Sequence, residues 1–159
     1  MKVSILTLGC KVNQAESSFI EGNLIKNGIT IVDLKDKPDY CIINTCSVTS
    51  KSDYQSKQLI RKAINLASKV IVTGCYTHFN TESILKISKE ITIVHNENKN
   101  KIINMIDNNT ITSYLSYSSN PRPYLIIQNG CNNKCSYCIV RIVRGKSRSV
   151  PLEKIIEQA

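Results

Sequence analysis

A chain of 159 residues, 42% of them hydrophobic, is long enough for one ordinary domain plus a further piece and apolar enough to exclude wholesale disorder. Its formal net charge is +9, and no apolar run reaches the ~20 residues of a membrane span, so no membrane partner is expected. Seven cysteines stand behind an opening that reads as a strand rather than a secretory leader, which predicts a reducing cytoplasm where clustered cysteines bind metal or do redox work more often than they form disulfides.

In chain order, residues 3–8 are a β-rich apolar run, and Asn13 with Glu16 reads as a capping box opening a helix. Ala15, Phe19, Ile20 and Leu24 share one face of that helix, and Gly28 ends it. Residues 29–34 and 40–44 read as short strands. Ser50 and Asp53 open a second helix, with Leu59, Ala63, Leu66 and Ala67 inward and Lys57, Arg61 and Lys62 outward. Residues 69–73 form a buried-type strand, followed by a helix around 81–89, a strand at 91–94 and a helix around 98–107. Strands alternating with helices predict an α/β fold over residues 1–107, an open parallel sheet with flanking helices.

Residues 108–122 are polar, rich in Ser and Asn, and run into Pro121-Arg122-Pro123, which marks a linker. A strand at 124–128 leads into a cysteine-bearing loop, and Pro151 opens a helix at a favoured first-turn position. A strand, a loop and an unfinished helix cannot bury a core alone. Residues 123–159 therefore read as the first βα unit of a second, incomplete domain. Over residues 122–149, Arg122, Lys134, Arg141, Arg144, Lys146 and Arg148 stand with no acidic residue. Such a segment either meets an anionic partner such as RNA or is a solvated basic loop.

The chemistry lies in the cysteines. Cys131, Cys135 and Cys138 occupy the stretch Gly130-Cys131-Asn132-Asn133-Lys134-Cys135-Ser136-Tyr137-Cys138. Three thiolates on one short loop can hold three corners of a four-iron cube and leave the last iron open, the mark of a reactive metal site. Cys10, Cys46 and Cys75 each follow a predicted strand, in Leu8-Gly9-Cys10, Asn44-Thr45-Cys46 and Thr73-Gly74-Cys75. In a parallel sheet the strand C-termini share one edge, where ligands bind, so these three would converge as a second trio. A lone cysteine is more often a small buried hydrophobe, the reading that fits Cys41 inside its strand. His78 and His95 lack partners at ligand spacing and read as surface or edge histidines.

Thr7-Leu8-Gly9-Cys10-Lys11-Val12-Asn13-Gln14-Ala15-Glu16-Ser17, Asn44-Thr45-Cys46-Ser47-Val48-Thr49, Thr73-Gly74-Cys75-Tyr76 and the Gly130-to-Cys138 loop together resemble the RNA methylthiotransferases of the radical S-adenosylmethionine superfamily. The form Cys10-Lys11-Val12-Asn13-Gln14 is most similar to the branch acting on N6-threonylcarbamoyladenosine beside the tRNA anticodon. The resemblance implies two 4Fe-4S clusters. Cys131, Cys135 and Cys138 would hold the one that binds and cleaves S-adenosylmethionine; Cys10, Cys46 and Cys75 would hold the auxiliary cluster that delivers the methylthio group to C2 of the adenine. Tyr137 falls where the family places an aromatic residue beside the cofactor adenine; plain packing under the loop is the other reading. The implied partners are tRNA, an electron donor such as a flavodoxin or ferredoxin, and a downstream polypeptide completing the barrel.

The sequence also departs from that family. Ile139-Val140-Arg141-Ile142-Val143-Arg144-Gly145 lacks the proline and tyrosine that usually follow the last cysteine. The family's remaining partial barrel and its RNA-binding C-terminal β domain lie beyond these residues, so the chain alone is expected to be inactive. A truncated gene, a split subunit, a cut piece and an inactive relic all stay open. So does a non-catalytic zinc or structural-iron module, although both cysteine sets stop at three where closed zinc sites use four.

Overall fold

Runs of Val and Ile dictate the centre of the molecule. β3 (Tyr40–Thr45) and β4 (Lys69–Gly74) are buried almost from end to end, the pattern of inner strands covered on both faces. A computed structural model of the protein describes residues 1–107 and 124–158. In it these strands pair in parallel with β1 (Lys2–Thr7), β2 (Thr30–Ile31) and β5 (Thr92–Val94), in the order β2-β1-β3-β4-β5. Side chains alternate along each strand, so Ile42 and Ile71 enter one core layer while Cys41, Ile43, Val70 and Val72 enter the other. The first layer is closed by Ile20 and Leu24 of α1 (Lys11–Lys26) and by Ile102 and Ile103 of α4 (Lys101–Ile106). The second is closed by Ile60 and Ala63 of α2 (Ser50–Ile64) and by Tyr76 and Ile84 of α3 (Tyr76–Leu85). This is the predicted parallel α/β sheet with helices on both faces. The order reverses between β1 and β3, the switch point outside which doubly wound sheets bind ligands.

Local readings shift where side chains compete with the backbone. Asn13 and Glu16 are no capping box: α1 already begins at Lys11 with Cys10 as its N-cap residue. At α2 the cap is Thr49, whose Oγ1 accepts from the Ser52 backbone N–H at 3.2 Å, while Ser52 Oγ accepts from the Thr49 N–H at 3.0 Å. Asp53 instead accepts from Ser47 Oγ at 2.8 Å. Ile60 rather than Leu59 takes the innermost place on that helix. The expected strand at 29–34 stops at Ile31, because the Asp33 carboxylate accepts from the Lys35 N–H at 2.9 Å and turns the chain into a 3-10 helix, Leu34–Asp36. α3 starts directly after Cys75 and ends at Leu85, well ahead of the expected 81–89.

The second unit is small. β6 (Gln128–Asn129) pairs antiparallel with β7 (Arg148–Ser149), so the strand expected at 124–128 is realised only at its last residue. Between them lies α5 (Val140–Arg144). α6 (Leu152–Gln158) follows Pro151, whose carbonyl accepts from the Ile155 N–H at 3.1 Å. The linker expected over 108–122 lies outside the described residues. Among those described, no helix is long and apolar enough to cross a membrane.

Candidate metal centre

β1, β3 and β4 are neighbours, and their register sets Thr7 opposite Asn44, Asn44 opposite Thr73 and Thr45 opposite Gly74. Cys46 and Cys75 thus leave the sheet side by side, and Cys10 leaves the adjoining strand at the same edge. Gly9 (φ +103°) and Gly74 (φ +101°) both occupy backbone conformations that disfavour side chains. A Cβ on Gly9 would lie 2.7 Å from Cys46 Cβ and 2.8 Å from its Sγ, so the Cys46 side chain packs directly on the backbone preceding Cys10. A Cβ on Gly74 would lie 2.2 Å from the Thr45 carbonyl oxygen. The Cys75 N–H donates to that same oxygen at 3.0 Å. Cys46 and Cys75 are buried, and Cys10 is exposed.

A buried polar network stitches these loops together. Asn13, fully buried, donates through Nδ2 to the Leu8 carbonyl at 2.7 Å and to the Thr45 carbonyl at 3.0 Å. Asn44, equally buried, donates to the Asn13 carbonyl at 2.9 Å and accepts from Lys99 Nζ at 3.0 Å. Glu16 is ion-paired to Lys99 and, at 2.7 Å, to Arg144 of α5. Burial alone would raise the Glu16 carboxyl, but the Lys99 and Arg144 charges and hydrogen bonds hold it below its ordinary value. Burial pushes the Cys75 thiol up; Arg144, Lys99 and an Asn96 hydrogen bond pull against that, and the net shift stays upward. Asn96 Nδ2 reaches both the Val143 carbonyl at 2.7 Å and Cys75 Sγ at 4.0 Å, while its Oδ1 is buried with no hydrogen-bond partner. Cys41 lies in the core away from this edge, its thiol pushed up to about 12 by burial.

The second trio is carried differently. The Cys131 N–H donates to the Gly145 carbonyl at 3.1 Å, and the Cys138 N–H to the Cys135 carbonyl at 3.2 Å. Cys131 and Cys138 are half-buried and Cys135 is exposed. Tyr137 is 90% exposed, so it does not pack under the loop in this structure. His78 is exposed and lies edge-on to Phe79, and His95 is exposed with Nδ1 3.4 Å from Thr77 Oγ1. Both histidines are the edge residues expected.

Among the described residues no three Cys, His, Asp or Glu side chains close around a point that one metal ion would fill. Thiolates of an iron–sulfur cube bind separate irons and need not converge on one point. Three cysteines on neighbouring strand ends, beside the buried cations Lys99 and Arg144 and the Asn96 amide N–H that reaches Cys75 Sγ, suit an anionic cluster of that kind. Sequence reasoning missed the residues that organise this edge: Asn13, Glu16, Asn44, Asn96, Lys99 and Arg144. The usable signal was an asparagine closing an otherwise apolar strand, at Asn44.

The model of the family described as "Uncharacterized protein family UPF0004" matches residues 2–96. The threonylcarbamoyladenosine tRNA methylthiotransferase MtaB of Aquifex aeolicus (strain VF5) is 32% identical over 99% of this chain and 44% of its own length. MtaB of Bacillus subtilis (strain 168) is 33% identical, over 99% of this chain and 40% of that protein. The ribosomal protein uS12 methylthiotransferase RimO of Synechococcus sp. (strain JA-3-3Ab) is 30% identical, over 99% and 38%. The chain thus spans less than half the length of these relatives. A solved cobalamin-dependent S-adenosylmethionine radical enzyme, OxsB, is similar at a TM-score of 0.48 and 15% identity, over 72% of this chain and 20% of that one.

Proposed function

The chain belongs to the UPF0004 family and is related to proteins named methylthiotransferases, and from that premise we propose that it is the N-terminal portion of a cytoplasmic radical S-adenosylmethionine enzyme adding a methylthio group to C2 of N6-threonylcarbamoyladenosine in tRNA. The observation that supports this most is the delivery of Cys10, Cys46 and Cys75 to one sheet edge at the β1/β3 switch point. In this reading those three cysteines hold an auxiliary cluster, and Cys131, Cys135 and Cys138 hold a second one. When bound, the clusters and S-adenosylmethionine supply the electron, the radical and the sulfur.

The protein's own residues bind and orient. Gly9 and Gly74 let the cysteine loops approach, Asn13 and Asn44 fix their backbones, and exposed Tyr137 is free to lie against an adenine. An electron donor such as a flavodoxin or ferredoxin and a polypeptide completing the barrel are the further partners. tRNA is preferred over a ribosomal protein because the cysteine loop is flanked by exposed Arg141, Lys146 and Arg148.

Anaerobic reconstitution tests the reading. Iron and acid-labile sulfide should bind in equal amounts, at two four-iron clusters per chain. Supplied with the rest of the barrel, the protein should then methylthiolate tRNA. Zinc without labile sulfide, or methylthiolation of ribosomal protein instead of tRNA, overturns it.

A further inference from the structure

We propose that Arg144 is a positioning residue: with Glu16 and Lys99 it forms a buried charge clasp that locks the three-cysteine loop onto the sheet edge bearing Cys10, Cys46 and Cys75. Both flanks of the loop end on one carboxylate. On the entry side Asn129 Nδ2 donates to Glu16 Oε1 at 3.3 Å; on the exit side Arg144 donates to Glu16 Oε1 at 2.7 Å and to Oε2 at 3.3 Å. Arg144 also donates to Asn129 Oδ1 at 3.1 Å and to Asn13 Oδ1 at 2.5 Å, and is only 5% exposed. The neighbouring Val143 carbonyl is held by Asn96, the residue that also touches Cys75 Sγ. One carboxylate therefore ties together segments 128 residues apart in sequence.

The clasp is not electrically neutral. Glu16 brings one negative charge; Lys99 and Arg144 bring two positive ones, and both cations are buried. An uncompensated buried charge is costly unless an anion lies beside it. Asn13 Oδ1 accepts from Arg144 at 2.5 Å and lies 3.9 Å from Cys10 Sγ, and Asn96, bound to the Val143 carbonyl next to Arg144, reaches Cys75 Sγ at 4.0 Å. The surplus charge thus faces the thiol groups of the strand edge. The geometry assigns the clasp two linked effects, holding the loop in place and stabilising negative charge at the first trio. The second effect rests on the reading of that trio as a cluster site; the first does not.

Amide hydrogen exchange on the chain tests the first effect directly. Arg144→Met and Glu16→Gln should each accelerate exchange at the hydrogen-bonded amides of Cys131, Ile142 and Val143, at the two ends of the loop, by roughly 100-fold, the opening expected when one partner of a buried pair is removed. Strands β1, β3 and β4 should keep their protection, and the double variant should be no worse than either single one. Those three amides unprotected in the parent chain, additive effects, or loss of their protection and the sheet's together would overturn the clasp. For the second effect, the chain with Cys131, Cys135 and Cys138 changed to Ala is loaded with iron and sulfide. The cluster's midpoint potential should fall in Arg144→Met and recover in Arg144→Lys; an unchanged potential in Arg144→Met overturns it. Failure of that parent to take up any cluster counts against the proposed function and removes the second effect with it, while the exchange result still decides the clasp.

Discussion

The two cysteine trios are built by opposite means. Cys10, Cys46 and Cys75 are remote in sequence and are assembled by parallel strand pairing, with glycines and buried asparagines setting each loop. Cys131, Cys135 and Cys138 are assembled by spacing along one loop, which presents an exposed cysteine and a nearly bare tyrosine. The first arrangement is as stable as the sheet. The second borrows its place through contacts at its two ends. On the proposed reading, the sheet-borne trio would hold one group in place while the exposed loop meets a substrate.

Glycine substitutions should break this comparison most sharply. Gly74→Ala combines left-handed strain with a Cβ 2.2 Å from the Thr45 carbonyl oxygen, and should destabilise the sheet by at least about 3 kcal/mol. Gly145→Ala, at φ +72° with nothing within 4 Å of the added atom, should cost about 1–3 kcal/mol and leave the sheet intact. Urea denaturation monitored on the sheet checks both, and equal losses would erase the distinction.

Acid should act on the joint between the two regions. The folded Glu16 carboxyl titrates below its ordinary value of 4.5, so its contribution is complete above that pH and is lost as the pH falls through the lower folded value. Glu16→Gln should flatten this part of the stability profile, with a smaller loss than Gly74→Ala at neutral pH. An unchanged acid limb in the variant would remove Glu16 from the account.

Thiol labelling sharpens the contrast without altering the fold. Exposed Cys135 and Cys10 should be alkylated in the native protein at neutral pH, whereas Cys41, fully buried with its thiol near 12, should react only on unfolding. Mass spectrometry of the labelled peptides gives the order. The smallest effect belongs to Tyr137→Ala, which should change stability by less than about 0.5 kcal/mol because the ring is 90% exposed. A larger loss by thermal denaturation would mean that the ring packs.

The sheet was legible because its inner strands are continuous runs of Val and Ile, and the placement of Cys10, Cys46 and Cys75 just after neighbouring parallel strands followed from one rule about parallel strand ends. The joint was not legible. Asn13 and Glu16 imitate a helix cap, a local pattern that the same residue types satisfy equally well in a buried network. Arg144 was one of six cations in a segment read as RNA-facing or solvated, yet it is buried. Its partner is 128 residues away, and no periodicity encodes a contact at that range. The strand expected at 124–128 shrank because its only described partner, β7, offers a two-residue ladder.

Because Asn129 and Arg144 are moored to a single side chain, the segment between them is already a closed ring before any ligand arrives. The entropy of bringing its ends together has been removed in advance. What slack remains lies in the middle, around Cys135 and Tyr137, so a guest captured there has only the crown of the ring to immobilise.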